Sequence, residues 1–344
     1  MRGFFSTRGG GVVLDTAQLL DVKNLETFFS TDAGKVKAVR GLSFSVNAGE
    51  TLGIVGESGS GKSVTSESIL RLQDNNAVTY AGEVNFRGEN LLEVSEKKMR
   101  DIRGKEISMV FQDPMSSLNP VYTIGNQLME VILLHQKISK LEARKKAIEI
   151  LRLTGIPDPE KRLKNFPHEL SGGLRQRVMI AMALSCEPSL LIADEPTTAL
   201  DVTIQSQILG LMEDLKQKFD MGIILITHDL AVVAEVCTRV AVMYYGDIVE
   251  ETDVISLFEN PLHPYTRGLL KSIPHIEGDT NKKLHVIEGT VPSLKDSHNG
   301  CPFRPRCAFA TEQCNVYPDF IKYKDNHKVK CWNYKDVLAA KGDE

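Results

Sequence analysis

Residues 56–63 read GESGSGKS, with Gly56, Gly59 and Gly61 placed ahead of Lys62 and Ser63. This is the pattern G-x-x-x-x-G-K-S. The apolar run Thr51–Val55 precedes it, and Val64, Ile69, Leu70 and Leu72 follow at helical spacing. Strand, glycine loop and helix in that order are the setting the pattern requires. Glycines let successive backbone N–H groups converge on a phosphate without Cβ atoms in the way, and the helix N-terminus adds partial positive charge. Gly56, Ser58, Gly59, Ser60, Gly61, Lys62, Ser63 and Val64 are therefore candidate phosphate contacts. Lys62 is suited to neutralising β- and γ-phosphate oxygens, and Ser63 to offering its hydroxyl to Mg²⁺. The bland alternative is a bare glycine turn.

On the N-terminal side, Leu19–Val46 reads as short strands: Val36 and Ala38, then Leu42, Phe44 and Val46, alternate in a way that places apolar side chains on one face. An antiparallel sheet is expected there. On the C-terminal side, Ile107–Phe111 reads as a strand, and Ile124–Leu134 and Lys140–Leu153 as amphipathic helices, the second closed by Gly155 and Pro157. Apolar runs return at Leu190–Ala193, Ile223–Ile226 and Val240–Tyr244 with helical stretches between them, as in a parallel sheet covered on both faces. The run LLIADE over 190–195 ends in two carboxylates. Asp194 is placed to hold a Mg²⁺ shell and Glu195 to polarise an attacking water as general base. Taken alone, paired acids there are equally a solvated strand end.

The chain has 344 residues, 42% of them hydrophobic and 25% charged, so it can bury a sizeable core and is not a disordered chain. Its 41 Lys and Arg against 45 Asp and Glu leave a charge of -4, so no overall basic field points to nucleic acid or an anionic bilayer. No apolar run approaches the roughly 18 residues of a spanning helix. Residues 1–17 are expected to be a flexible leader rather than a secretory signal. After Asn260 the composition turns proline-rich, and a boundary is expected there. Four of the six cysteines, Cys301, Cys307, Cys314 and Cys331, crowd into the last part of the chain with the spacing C-x5-C-x6-C-x16-C. Four thiolates suit tetrahedral Zn²⁺ or an iron–sulfur cluster, although structural zinc usually takes tighter spacing. Free or disulfide-bonded thiols are the third possibility.

Residues 170–177 read LSGGLRQR. Here the chain resembles the ATP-binding subunits of ABC transporters, whose motifs occur in the expected order between about Leu19 and Leu257. The resemblance implies an α/β P-loop NTPase (RecA-like) ABC cassette over 18–259, with an antiparallel β subdomain and a helical subdomain insertion over about 113–185. A small cysteine-containing extension over 260–344 would follow. It also implies that Ser171, Gly172 and Gly173 face ATP held by an opposing subunit in a head-to-tail dimer. Gln112 resembles the glutamine that touches Mg²⁺ or water, so that Ser63, Gln112 and Asp194 form the Mg²⁺ set. Asp201 resembles the aspartate that communicates across the dimer, and His228 the histidine at the γ-phosphate. Catalysis is assigned to Glu195, His228, Gln112 and Lys62. Phe29, with Phe28 the close alternative, fits the aromatic that stacks on adenine, although a core position is the competing reading.

The segment NPLHPYTRGLL over 260–270 resembles the extension of the oligopeptide and dipeptide branch of ABC importers, which also holds nickel and glutathione systems. CPFRPRC over 301–307 resembles the four-cysteine site of its D-type subunits, which implies a [4Fe–4S] cluster on Cys301, Cys307, Cys314 and Cys331. The partners implied are a second ATPase subunit, a paralogue, and two transmembrane permease subunits, with an extracytoplasmic binding protein acting indirectly. The location implied is the cytoplasmic face of the cell membrane. A soluble non-transport ATPase of the same family is the alternative, disfavoured by a single cassette and the lack of basic charge.

Overall fold

The computed structural model describes residues 18–32, 34–74, 77–113, 117–198, 201–273, 286–293 and 299–340. The leader expected over 1–17 lies outside them. Three apolar runs form the centre: β3 (Thr51–Val55), β7 (Leu190–Asp194) and β8 (Gly222–Thr227), each buried along its whole length. They pair in parallel, Leu52 opposite Ile224 and Ile192 opposite Ile224. The sheet order is β11-β12-β10-β9-β3-β8-β7-β6, with β6 at Ile107–Val110, β9 at Arg239–Tyr244, β10 at Asp247–Asp253, β11 at Ile321–Lys324 and β12 at His327–Val329.

Period-two alternation sends these strands into two cores. Leu191, Ala193, Ile223 and Leu225 face one, and Leu52, Ile54, Ile192, Ile224 and Ile226 face the other. The first core is closed by helices Ile124–His135, Lys140–Leu153 and Gly172–Leu184, whose buried stripe runs through Ile124, Leu128, Ile132, Ala143, Ala147 and Leu151. Each Ile or Leu of this stripe contributes roughly 2 kcal/mol by leaving water. Ser139 and Glu142 form a capping box that fixes where the second of these helices starts.

The second core is closed by helix Lys62–Ile69 and by a four-stranded antiparallel sheet of order β2-β1-β4-β5, with β4 at Val78–Phe86 and β5 at Glu89–Asn90. Instead of several short strands, 19–46 folds into two long ones, β1 (Gln18–Thr31) and β2 (Gly34–Asn47). Register shifts between Val22 and Leu25 and between Thr27 and Phe28 absorb the breaks in alternation. Leu42, Phe44 and Val46 point inward as their spacing requires.

Residues beyond Asn260 add to the main sheet. β11 (Ile321–Lys324) and β12 (His327–Val329) form a hairpin, and β12 pairs with β10, Val329 opposite Glu250. Glu250 is fully buried and accepts the backbone N–H groups of Leu262 and His263 at 2.7 and 2.9 Å and His327 Nε2 at 2.7 Å. His263 then caps the helix Pro264–Lys271, its Nδ1 accepting the Tyr265 N–H at 3.1 Å. Among the described residues no helix is long and apolar enough to cross a membrane.

Burial pushes the His263 pKa down to about 4, against the partial opposition of Glu250. The ordinary value is about 6.5, so the unfolded chain takes up this proton first, and the stabilising contribution is complete above that pH and lost as pH falls through about 4. Urea unfolding across that window should show a loss on the order of 3 kcal/mol from this group. His263→Asn, which keeps a capping side chain, should show a flatter pH slope; an unchanged slope would contradict the assignment.

Candidate functional site

The phosphate loop leaves the buried β3 and enters helix Lys62–Ile69 with Gly59 and Gly61 at φ 80° and 99°. A Cβ at Gly56 would lie 2.2 Å from the Met243 carbonyl oxygen, and one at Gly61 would lie 2.9 Å from that of Ala38. At Gly59 a Cβ would meet nothing within 4 Å. Gly56 and Gly61 are thus glycines because neighbouring backbone crowds them, and Gly59 because of its left-handed φ.

Lys62 is 6% exposed, and its Nζ donates to the carbonyls of Gly56 at 2.7 Å and Glu57 at 3.0 Å. Burial lowers its pKa, opposed by the carboxylates of Glu195, Asp194 and Glu57. Asp194, at the end of β7, has its pKa raised by burial, while its hydrogen bond with Ser63 acts the other way. Its Oδ1 is buried with no hydrogen-bond partner. The Ser60 hydroxyl is likewise buried and unpartnered. The orphaned Asp194 oxygen, on a carboxylate that bonds Ser63, fits a hard, oxygen-seeking cation.

Glu195 follows in a left-handed turn at φ 46°. Gln112 Nε2 donates to its Oε2 at 2.8 Å, Thr198 Oγ1 donates to the same oxygen at 2.9 Å, and His228 Nδ1 lies 3.1 Å from Oε1. Burial acts to raise the Glu195 pKa, but the bonds from His228 and Thr198 and the charges of His228 and Lys62 outweigh it and leave the pKa lowered. The group is an ionised carboxylate at neutral pH. The cleft around it, about 890 Å³, is lined by Gly56, Glu57, Ser58, Gln112, Glu195, Thr198, His228 and the later segment Gly289–Val291. Thr198 and Gly289–Val291 escaped the sequence reading. Thr198 carries a weak signal in its position just after the acids, and Gly289–Val291 carry none.

The other expected residues lie elsewhere on the surface. Ser171 caps helix Gly172–Leu184, and Ser171 and Gly172 are exposed and outside the cleft lining. Asp201 caps helix Val202–Phe219, accepting the Ile204 N–H at 2.9 Å. Ile204 in turn touches the Gly173 position. Phe29 is half-buried in β1 between Val36 and Val78, away from the cleft lining. Thr27, also in β1, meets Ser68 of the phosphate-loop helix, oxygen to oxygen, at 2.8 Å and ties this strand to the loop.

The cluster expected on Cys301, Cys307, Cys314 and Cys331 is not supported. Among the described residues no group of three or more His, Cys, Asp or Glu is arranged to hold a metal ion. The four are free thiols around one apolar crevice with Phe303 and Trp332, about 10 Å³ in volume, room for about one water molecule. Burial pushes the thiol of Cys301 up to about 11 and that of Cys331 to about 12, and raises that of Cys307. Free thiols set beside Phe303 and Trp332 pack as small apolar side chains.

An ABC transporter family model matches residues 39–198, and the model for the oligopeptide/dipeptide transporter C-terminal region matches 249–314. The oligopeptide transport ATP-binding protein OppD of Bacillus subtilis is 53% identical over 322 residues, covering 93% of this chain and 90% of that one. The dipeptide transport ATP-binding protein DppD of the same organism is 52% identical over 92% of this chain and 94% of its own. Among solved structures, the dimeric MJ0796 bacterial ABC transporter cassette aligns with a TM-score of 0.62 at 28% identity over 69% of this chain and 99% of that one. A post-hydrolysis state of MJ0796 bound to ADP and Pi aligns with the same score.

Gly56→Ala should lose several kcal/mol of unfolding free energy, because the backbone of Met243 cannot yield. Gly59→Ala should lose only about 1–2 kcal/mol, the cost of its left-handed φ. Denaturant melts of the two variants check this, and equal losses would show that contact with Met243 does not set the loop. The phosphate loop, the acids at the end of β7 and the extension that follows them all agree: the chain belongs to the ABC transporter ATP-binding subunits of the oligopeptide/dipeptide importer family.

Proposed function

We propose that this chain binds and hydrolyses ATP to power a membrane importer of oligopeptides or dipeptides. The observation that carries the reading is Glu195, an ionised carboxylate held by Gln112, Thr198 and His228 at the mouth of the phosphate loop. Its relatives OppD and DppD, named for oligopeptide and dipeptide transport, supply the substrate class.

Lys62 leaves the Gly56 and Glu57 carbonyls to neutralise phosphate oxygens, and the N–H groups of 58–63 take up the remaining charge. Ser63, Asp194 and Gln112 are the residues that would hold Mg²⁺, which when bound neutralises charge developing between β- and γ-phosphates. Glu195 accepts a proton from the attacking water, and His228 holds that carboxylate and faces the γ-phosphate. Phe29, or Phe28 beside it, is the aromatic that would stack on the adenine, reaching it from outside the cleft lining seen here. The exposed Ser171–Gly173 helix start, with Asp201 beside it, serves the ATP of a second subunit, a paralogue, so two cassettes close face to face. Two permease subunits receive that motion, and an extracytoplasmic binding protein delivers peptide to them. The chain itself sits on the cytoplasmic face as a peripheral subunit.

Single-turnover assays test the chemistry. Glu195→Gln should keep Mg²⁺-ATP affinity within about threefold and slow hydrolysis by at least about a hundredfold. Hydrolysis at the wild-type rate would show that another group activates the water.

A further inference from the structure

The second residue of the phosphate loop is held by the far end of the chain. Arg306 Nη1 and Nη2 donate to Glu57 Oε2 and Oε1 at 2.7 and 3.0 Å, a two-pronged pair with the Arg306 side chain only 5% exposed. The backbone N–H of Glu57 donates to the Tyr265 hydroxyl at 2.7 Å. Both partners come from the region beyond Asn260, more than 200 residues along the chain.

The same guanidinium also fixes the segment that lines the cleft. Its Nε donates to the Glu288 carbonyl at 2.9 Å and Nη2 to that of Ile287 at 3.3 Å, just before Gly289–Val291. Its Cζ lies 5.9 Å from the centre of the Tyr244 ring and 5.7 Å from that of Phe303, within cation–π range of two rings that meet each other edge-on. Tyr265 packs on Tyr244 at 4.7 Å between ring centres. Its own position follows from the buried His263 and Glu250, which start its helix. The HPY residues of the segment over 260–270 thereby acquire a physical purpose: His263 and Pro264 open a helix that aims Tyr265 at the phosphate loop.

A planar fork that meets one carboxylate bidentately while binding two carbonyls can hold a loop in one geometry, which a flexible lysine cannot. We propose that the region beyond Asn260 is a clamp, acting within one chain, on the phosphate loop: Arg306 and Tyr265 are positioning residues that fix Glu57 and the Gly289–Val291 wall for nucleotide binding. The clamp lets the extension set nucleotide affinity in its own subunit, and it rests on the ATP-binding reading above.

The experiment uses the full-length chain, with a fluorescent ATP analogue plus Mg²⁺ titrated into wild type, Arg306→Ala, Arg306→Lys and Tyr265→Phe, and thermal melts run in parallel. Arg306→Ala should bind about tenfold more weakly and Tyr265→Phe about fivefold, with Arg306→Lys between Arg306→Ala and wild type. Tyr265→Phe should do so with little change in melting temperature, since the ring and its packing remain. Wild-type affinity in folded Arg306→Ala and Tyr265→Phe would overturn the clamp, reducing these contacts to attachment of the extension. If Arg306→Ala does not fold, Tyr265→Phe decides alone. Absence of binding by the wild-type chain would instead sink the ATPase reading, and the clamp with it.

Discussion

The phosphate loop can present its N–H groups only while Gly56 and Gly61 sit where other backbone leaves no room for a Cβ. Gly56 lies against the Met243 carbonyl at the end of β9, Gly61 against Ala38 of β2, and Gly246 against the same Ala38 carbonyl. The Gly246 N–H closes the arrangement by donating to the Ser60 carbonyl at 2.8 Å. The loop is therefore shaped by both sheets together. If the antiparallel sheet shifted relative to β9, the crowding that keeps the loop open would go with it.

The buried strands carry that requirement to the chemistry. Because β3, β7 and β8 are parallel neighbours, their C-terminal ends share one edge of the sheet, where such folds gather their binding groups. Asp194 and Glu195 leave β7, His228 leaves β8 and the loop leaves β3, so side chains from distant parts of the sequence meet within hydrogen-bond reach. Gln112 reaches the same carboxylate from beyond β6 on the sheet's edge. A helix-covered region spanning β6 to β7 carries Ser171 to an exposed position outside this cleft.

Beyond Asn260 the chain is bound into the cassette by apolar packing, Tyr265 and Phe303 sharing one core with Val55, Val242 and Tyr244, and by buried polar groups. Glu250 is the pivot: fully buried, it gathers two backbone N–H groups and His327, and a charge in that position is tolerable only because each contact is made. From there the order His263, Tyr265, Glu57 runs directly to the phosphate loop. The four crowded cysteines lie next to this path as free thiols packed with Phe303 and Trp332, and their spacing alone suggests a ligand set.

Local physics made the central features legible in the sequence. A short apolar run rich in β-branched residues, such as GIILIT, favours a strand buried on both faces, and glycines ahead of Lys62 and Ser63 have few uses other than a phosphate. The strand end LLIADE offered Asp194 and Glu195 and the family motifs added Gln112 and His228; the fold brings Gln112, Glu195 and His228 to one cleft. What the sequence could not contain was any pairing whose partners lack a shared period: Thr198 on Glu195, β12 on β10, and Arg306 and Tyr265 on Glu57. Bulges that fuse short strands into β1 and β2, and the burial that keeps thiols protonated, likewise depend on what packs around them. Chain-local patterns determined the cassette and its chemistry because hydrophobic periodicity and glycine geometry act over a few residues. Only the tertiary structure decided how the end of the chain grips the phosphate loop, because a hydrogen bond between residues more than 200 apart exists only once the sheet has brought them together.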